Sequence, residues 1–186
     1  CDWSSDVCSS DLGYARRTPF MRATVTYAFF KEGVEILIDY KQADGSFKAF
    51  DFLPRLGWKL RLGKEYNDLK YLAYGPGETY SDLYEYAIKG EYVSTVNNEY
   101  FPYAKPQECG SHYRADFVEI TNGKSVLRAE GMKSFSVLSY SPEQITDAMH
   151  HDELPESDGT YLCLDYCMSG TGTNACGPKL PKKYQV

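Results

Sequence analysis

Short runs of β-branched and aromatic residues, separated by turn-forming residues, recur along most of the chain. Such residues fit the pleated, half-buried surface of a sheet, whereas Gly, Pro, Asn and Asp favour the turns between strands. The pattern therefore predicts an all-β, mostly antiparallel sandwich of short strands. The predicted strands are residues 23–30, 34–40, 58–62, 70–74, 113–121, 126–130, 134–140 and 160–166.

Two local motifs add detail to this prediction. Residues 23–30 and 34–40 are separated by a short segment that ends in Gly33, which is typical of a β-hairpin. The best helix signal begins at Ser141, a good N-cap residue, because a proline and then an acid follow it. We expect that helix to end near Met149.

Composition excludes several classes of protein. The chain has 186 residues, which suits one domain, and no apolar run is long enough for a transmembrane helix. The net charge of −6 argues against a surface for nucleic acid or anionic membranes, which needs clustered positive charge. Aromatic residues make up 15% of the chain, and they serve equally well in strands and in sugar-binding clefts.

Residues 1–12 differ from the rest of the chain. They contain three Asp and no Lys or Arg, and they lack the basic and apolar regions of a signal peptide. The string from Asp2 to Leu12 matches the translation of a common sequencing adapter, so the hypothesis is an assembly scar without a fold, followed by a native segment 13–186. A native polar tail is the alternative. Without the scar the net charge is −3, and the remaining cysteines are Cys109, Cys163, Cys167 and Cys176.

The cysteines give little support to a metal site or a disulfide. No Cys-x-x-Cys motif is present, so a structural zinc site is weakly indicated. Cys163 and Cys167 lie on or next to one predicted strand, in which four residues span about 13 Å. A disulfide requires Cα atoms roughly 4.4–6.8 Å apart, so these two cannot pair in that conformation. We expect four reduced cysteines that act as small apolar residues, as in a cytoplasmic protein.

Several acids and histidines are candidates for catalysis, but their spacing in the sequence does not show which of them form a site. A retaining glycosidase needs two carboxyl groups about 5–5.5 Å apart. Nothing in the sequence brings any two of the candidate acids together, so structural roles are favoured for Glu78, Asp82, Glu108, Asp116 and Asp165. His150 and His151 follow the predicted helix, and a structural bond to a loop is favoured there over a general acid or a metal ligand.

The glycine-rich run 170–178 is the loop with the strongest functional potential. Most of its residues are Gly, Pro, Asn or small, so it makes sharp turns and approaches a ligand closely. A plain connection between strands is an equally good explanation of the composition alone.

Several motifs occur in order along the chain: Leu53-Pro-Arg-Leu-Gly57, Tyr74-Gly-Pro-Gly-Glu-Thr-Tyr-Ser-Asp82, Tyr100-Phe-Pro-Tyr-Ala-Lys-Pro-Gln-Glu-Cys-Gly110, Phe135-Ser136, His150, Leu164-Asp-Tyr166 and 170–178. Together they resemble the C-terminal segment, or small chain, of the multi-domain β-galactosidases of glycoside hydrolase family two. The resemblance begins near Tyr14 and covers the rest of the chain. The family has Arg after the acid that Asp82 matches and Trp at the position of Tyr71, whereas this chain has Leu83 and Tyr.

This resemblance implies a β-supersandwich similar to the aldose mutarotases, and a chain clipped at both ends. The family hydrolyses terminal β-galactosides with retention, through two glutamates in a central barrel that this chain lacks, so no catalytic residue is assigned. The family's magnesium and sodium sites lie mainly in the barrel, so no metal ligand or cofactor is assigned here. The loop at Asn174, Ala175 and Cys176 is expected near the sugar subsites, without the aromatic platform that some relatives have.

The resulting expectation is a fragment of a cytoplasmic, homo-oligomeric β-galactosidase. Its partners are its own catalytic barrel and N-terminal domains and a β-galactoside sugar, and neither nucleic acid nor membrane. The segment is expected to pack on the barrel, to shape one wall of the active site and to be inactive alone. The alternative is a free-standing carbohydrate-binding or mutarotase-like sandwich, which the upstream DNA distinguishes.

Overall fold

The computed structural model describes residues 7–13, 19–31, 33–42, 52–171 and 180–186. The chain divides into two compact units, Cys1–Asp51 and Phe52–Val186. Every strand pair in the described residues is antiparallel. The predicted all-β, antiparallel class is therefore confirmed.

The first unit contains one three-stranded sheet in the order β1-β2-β3. Its strands are β1 (Val7–Gly13), β2 (Pro19–Phe29) and β3 (Val34–Gln42). Phe30 and Gly33 exchange backbone hydrogen bonds between β2 and β3, which confirms the predicted hairpin. Strand β1 includes residues 7–12 of the segment for which the sequence predicts no fold, and it pairs with β2. Antiparallel pairing uses backbone donors and acceptors, so it tolerates a polar sequence.

The second unit contains two four-stranded sheets. One sheet has the order β4-β11-β10-β7, and the other has the order β6-β5-β8-β9. The strands are β4 (Arg55–Leu62), β5 (Asp68–Gly75), β6 (Ile88–Thr95), β7 (Ser111–Tyr113), β8 (Phe117–Thr121), β9 (Val126–Glu130), β10 (Ser134–Leu138) and β11 (Thr160–Met168).

The core of this unit lies between its two sheets. Every second residue of β5 is buried, and its inward side chains join those of β8. Inward residues of β10 and β11 complete the same cluster from the other sheet. One continuous apolar core between two antiparallel sheets makes this unit a sandwich. Its fully buried members include Leu69, Tyr71, Val118, Ile120, Phe135, Val137 and Leu162.

In the described part of the chain the helical segments are few and short, and they include the 3-10 helices His151–Glu153 and Lys182–Tyr184. Helix α1 (Val96–Glu99) follows β6, and neither element is predicted from the sequence. Helix α2 (Pro142–Asp147) begins as predicted, because Ser141 and Gln144 form a reciprocal capping box. It ends two residues before Met149 because Ala148 adopts an extended conformation. The predicted strand 113–121 is divided in two, since Arg114 has a φ of 53° between β7 and β8.

Candidate functional site

The outer face of β10 and β11 carries the features that are candidates for function. Side chains of these strands alternate, so Phe135 and Val137 enter the core while Ser136 and Leu138 face outward. Helix α2 and the segment after α1 cover this outer face. They form a second, smaller apolar cluster that includes Cys109, Leu138 and Ile145.

A charged cluster lies at one end of this outer face. Arg55 Nε is 2.7 Å from Asp165 Oδ1, and Arg55 Nη2 donates to Asp165 Oδ2 at 3.1 Å. The same guanidinium donates to both carboxylate oxygens of Glu108, at 3.2 and 3.3 Å. Asp165 is 1% exposed, whereas Glu108 is 34% exposed. One arginine therefore bridges two carboxylates, one fully buried and one that reaches the surface.

Burial governs the protonation of this cluster. It raises the pKa of Glu108, although Arg55 acts in the opposite direction. The pKa of Asp165 is raised for the same reason, again against the effect of Arg55. The two carboxylates keep the pKa of Arg55 above its ordinary value in spite of burial, so the guanidinium is always charged.

Gly57 explains how β4 brings Arg55 to this position. A Cβ atom at Gly57 would lie 2.2 Å from the carbonyl oxygen of Leu164 on β11. The strands approach closely there, next to an irregularity in their register between Asp165 and Cys167. Glycine at this position therefore lets β4 present Arg55 directly to Asp165.

A cleft opens between α2 and the outer face of β10 and β11, and we call it the α2 cleft. Its volume is about 90 Å³. Leu138, Pro142 and Ile145 give it an apolar wall, and Glu108 contributes a carboxylate. The other lining residues are Ser136, Tyr140, Thr146, Tyr161 and Cys163.

A second polar centre surrounds Glu78. Its carboxylate accepts hydrogen bonds from the hydroxyls of Tyr80 and Tyr103 and from the backbone N–H of Gly110 at 2.9 Å. The hydroxyl of Tyr86 donates to the carbonyl of Glu78. The hydrogen bond to Glu78 raises the pKa of Tyr103 to about 12, so this hydroxyl stays protonated and acts as a donor. The network ties the turn after β5 to the segment that contains Glu108.

A buried pair formed by a histidine and a glutamate is a third polar feature, and the sequence does not predict it. His112 Nε2 lies 2.6 Å from Glu99 Oε2, and both side chains are almost fully buried. Its Nδ1 lies 3.2 Å from the carbonyl oxygen of Tyr74 and therefore donates to it. The ring also packs on Tyr71 and Phe135, so the pair anchors α1 to β7 within the core.

The five candidate acids make different interactions in the structure. The structure brings Glu108 and Asp165 together, but it ties both to Arg55. Asp82 accepts from the backbone N–H of Thr171 at 3.0 Å, and Asp116 pairs with Lys89 on the surface. Glu78 serves the tyrosine network. Sequence separations of 53 and 110 residues explain why no local pattern reveals the partners of Arg55.

The remaining candidates fall on loops and strands. His150 pairs with Glu153, and Nδ1 of His151 lies 3.3 Å from the hydroxyl of Tyr100. These contacts fit the structural role that the sequence favours. Cys109, Cys163 and Cys167 are free and buried, as expected.

The predicted sugar-site residues Asn174, Ala175 and Cys176 lie outside the described residues. The start of their loop is described, and Asp82 holds it. A Cβ atom at Gly170 would lie 2.4 Å from the carboxylate carbon of Asp82, so only glycine allows this close approach.

No three His, Cys, Asp or Glu side chains in the described ranges are grouped so that they could hold a metal ion. Within the same ranges, no helix has the length and apolar character required to cross a membrane.

Comparisons with known proteins agree with the motifs. The family model described as β-galactosidase small chain matches residues 4–186. The chain is 39% identical over 135 residues to a β-galactosidase of Actinobacillus pleuropneumoniae, which covers 73% of this chain and 13% of that protein. It is 34% identical over 171 residues to a β-galactosidase of Staphylococcus xylosus, and the alignment covers 90% of this chain and 17% of that protein. The chain thus spans less than a fifth of these relatives.

Proposed function

We propose a function that follows from the family of this chain. The chain belongs to the β-galactosidase small chain family. The proposal is that the chain forms part of a β-galactosidase that hydrolyses terminal β-D-galactosides. The observation that carries it is the alignment with the Staphylococcus xylosus relative, which includes 90% of this chain but only 17% of that enzyme. A segment of this size supplies one domain of such an enzyme, and other domains supply the rest.

The proposed role of the domain is to position a loop against the catalytic barrel. Family members cleave with retention through two glutamates about 5–5.5 Å apart in the barrel, one as nucleophile and one as acid and base. In this chain Glu108 and Asp165 are both engaged by Arg55, which makes them unsuited to that work. Asp82 fixes the start of the loop 170–178, and we propose that Asn174, Ala175 and Cys176 of this loop border the sugar subsites.

Further features of the whole enzyme belong to the same proposal. They are a cytoplasmic location, a homo-oligomeric state, and magnesium and sodium ions bound in the barrel rather than in this segment. Support for them is the family membership alone.

An assay of the isolated chain tests the proposal that the catalytic residues lie in the barrel and not in this chain. We expect no hydrolysis of a chromogenic β-galactoside by the purified 186-residue chain, because the two catalytic glutamates belong to the barrel. Clear turnover that survives repurification and is absent from a mock purification would contradict the proposal. The upstream genomic DNA gives an independent test, since a frame that encodes a barrel supports an enzyme and a start codon near Tyr14 supports a free-standing sugar-binding module.

We also propose that residues 1–12 are an assembly scar rather than natural sequence. The match of Asp2 to Leu12 with a translated sequencing adapter supports this origin. Resequencing the genomic locus decides it, because an intact upstream gene that encodes the same string would show that the residues are native.

A further inference from the structure

We propose that the α2 cleft binds a primary ammonium group carried on a short alkyl chain. The charges of the described residues around the cleft do not balance. Arg55 supplies one positive charge, whereas Glu108 and Asp165 supply two negative charges. Lys59 pairs with Glu143 of α2, so these two charges cancel. One carboxylate charge is left for a ligand to neutralise.

Glu108 is the carboxylate that a ligand can reach. Asp165 is fully buried and accepts from Arg55 and from the hydroxyl of Ser134. Glu108 is 34% exposed and lines the cleft, and Arg55 uses only one hydrogen-bond site on each of its oxygens. Because an ionised carboxylate offers about four lone-pair sites, Glu108 retains acceptors for an ammonium group.

The rest of the cleft suits an alkyl chain. Leu138, Pro142 and Ile145 form an apolar wall, and removing a ligand's methylene groups from water there is favourable. Tyr140 and Tyr161 also line the cleft, and aromatic rings attract cations. The volume of about 90 Å³ is several times the roughly 10–15 Å³ that one water molecule needs, so the space fits a small organic group.

Charge selects against other ligands of the same size. An anion would be repelled by Glu108, and a neutral alcohol would add no positive charge to a cluster in which Arg55 faces two carboxylates. An ammonium group both neutralises Glu108 and forms charge-assisted hydrogen bonds with it.

Titration of the full chain with n-butylammonium tests the proposal, and butan-1-ol serves as the neutral analogue. At about pH 8 the amine is protonated. We expect saturable NMR shifts of the amides of Ser136, Leu138 and Cys163, with binding at least tenfold tighter than that of butan-1-ol. Equal affinities for the two compounds, or shifts that do not saturate, would overturn the proposal.

Two variants locate the site independently of each other. Glu108→Gln should weaken butylammonium binding about tenfold, which is the loss of about 1.4 kcal/mol. Because that change also removes a partner of Arg55, Thr146→Phe provides a second variant that fills the cleft from α2 and leaves the charged cluster intact. It should abolish the saturable shifts, and undiminished binding by this variant would contradict the proposed location. Glu130→Gln on β9, in the opposite sheet, is the matched control and should bind normally.

The natural source of the ammonium group is either a free amine or a lysine side chain. Nα-acetyl-lysine N-methylamide carries the same butylammonium group on a peptide-like backbone. Binding as tight as that of butylammonium supports a lysine side chain as the occupant, and binding at least tenfold weaker supports a free amine.

Discussion

Arg55 is the residue on which the stability of the charged cluster depends. Replacing it by alanine removes the cation that pairs with the Asp165 carboxylate, which is 1% exposed. Removing one member of a buried ion pair typically costs about 3–5 kcal/mol, because the remaining charge is uncompensated. We therefore expect Arg55→Ala to lower the free energy of unfolding by about 3–5 kcal/mol, measured by urea denaturation followed by circular dichroism.

The matched control for this prediction is Arg61→Ala. Arg61 lies on the same strand and also pairs with an aspartate, Asp158, but both side chains are about half exposed. Exposed pairs are screened by water and contribute little, so the urea midpoint should hardly change. Equal destabilisation by the two substitutions would show that burial of the Asp165 charge is not the cause.

Glu108 makes a pH-dependent contribution to stability that Gln cannot make. Burial raises its pKa in the folded protein above the ordinary value of 4.5, so the folded state holds the proton more tightly than the unfolded state does. Its contribution to the free energy of unfolding is therefore largest at low pH and falls as the pH rises through the interval between the two pKa values.

The difference between the wild type and Glu108→Gln isolates this effect from the other carboxylates. We expect the stability of the wild type relative to the variant to decrease as the pH is raised from about 4.5 upward, until the folded carboxyl is fully ionised. Urea midpoints of both proteins across this range provide the measurement. A difference that increases with pH would mean that Arg55 outweighs burial and lowers the pKa instead.

At the residue scale, the sequence predicts the environment of a side chain better than its interaction partners. The free, buried state of Cys163 and Cys167 follows from their place on an apolar strand. The pairing of Arg55 with Asp165 does not, because 110 residues separate them and only the register of β4 on β11 brings them together. The pair His112 and Glu99 escapes prediction for the same reason, since it requires α1 and β7 to be packed first.

At the scale of elements, the close approach of β4 and β11 depends on Gly57. A Cβ atom there would overlap the carbonyl oxygen of Leu164, which is rigid backbone rather than a movable side chain. Overpacking of this kind typically costs about 1–3 kcal/mol. We expect Gly57→Ala to lower the free energy of unfolding by that amount and to shift the NMR signals of both strands.

Gly33 supplies the comparison for Gly57→Ala. A Cβ atom at Gly33 would meet nothing within 4 Å. Its replacement by alanine should therefore change the free energy of unfolding by less than about 1 kcal/mol. If Gly57→Ala proved equally harmless, β4 would be able to move away from β11 without loss of packing.

The elements that the sequence misses share a physical property. Strand β6 is an edge strand of its sheet. Its sequence mixes charged, small and apolar residues, so apolar and polar residues do not alternate clearly along it. Helix α1 has four residues, too few to show a helical period. By contrast, α2 is found at its true start because capping is a local interaction between Ser141 and Gln144. Local chemistry is therefore readable in sequence, whereas edge strands depend on their neighbours.

For the whole molecule, the two units differ in how well they bury apolar residues. The second unit encloses a continuous core between two sheets. Within the residues that the structure describes, the first unit is a single sheet in which several large apolar side chains of the β2–β3 hairpin are exposed. They are Phe29, Phe30, Val34, Ile36 and Leu37. Exposed apolar residues on a sheet with an open edge favour association.

The isolated chain is therefore expected to self-associate through the first unit. Strand β3 is at the edge of its sheet, and Leu37 on it is 66% exposed. A lysine at this position places a charge on the edge, which disfavours pairing with another chain. We expect Leu37→Lys to raise the monomer fraction in size-exclusion chromatography with light scattering at micromolar concentrations. Leu83→Lys, at an exposed leucine of the second unit, should leave the wild-type distribution unchanged. A monodisperse wild-type monomer would contradict this expectation, and equal rescue by both lysines would indicate an effect of net charge instead of the β3 edge.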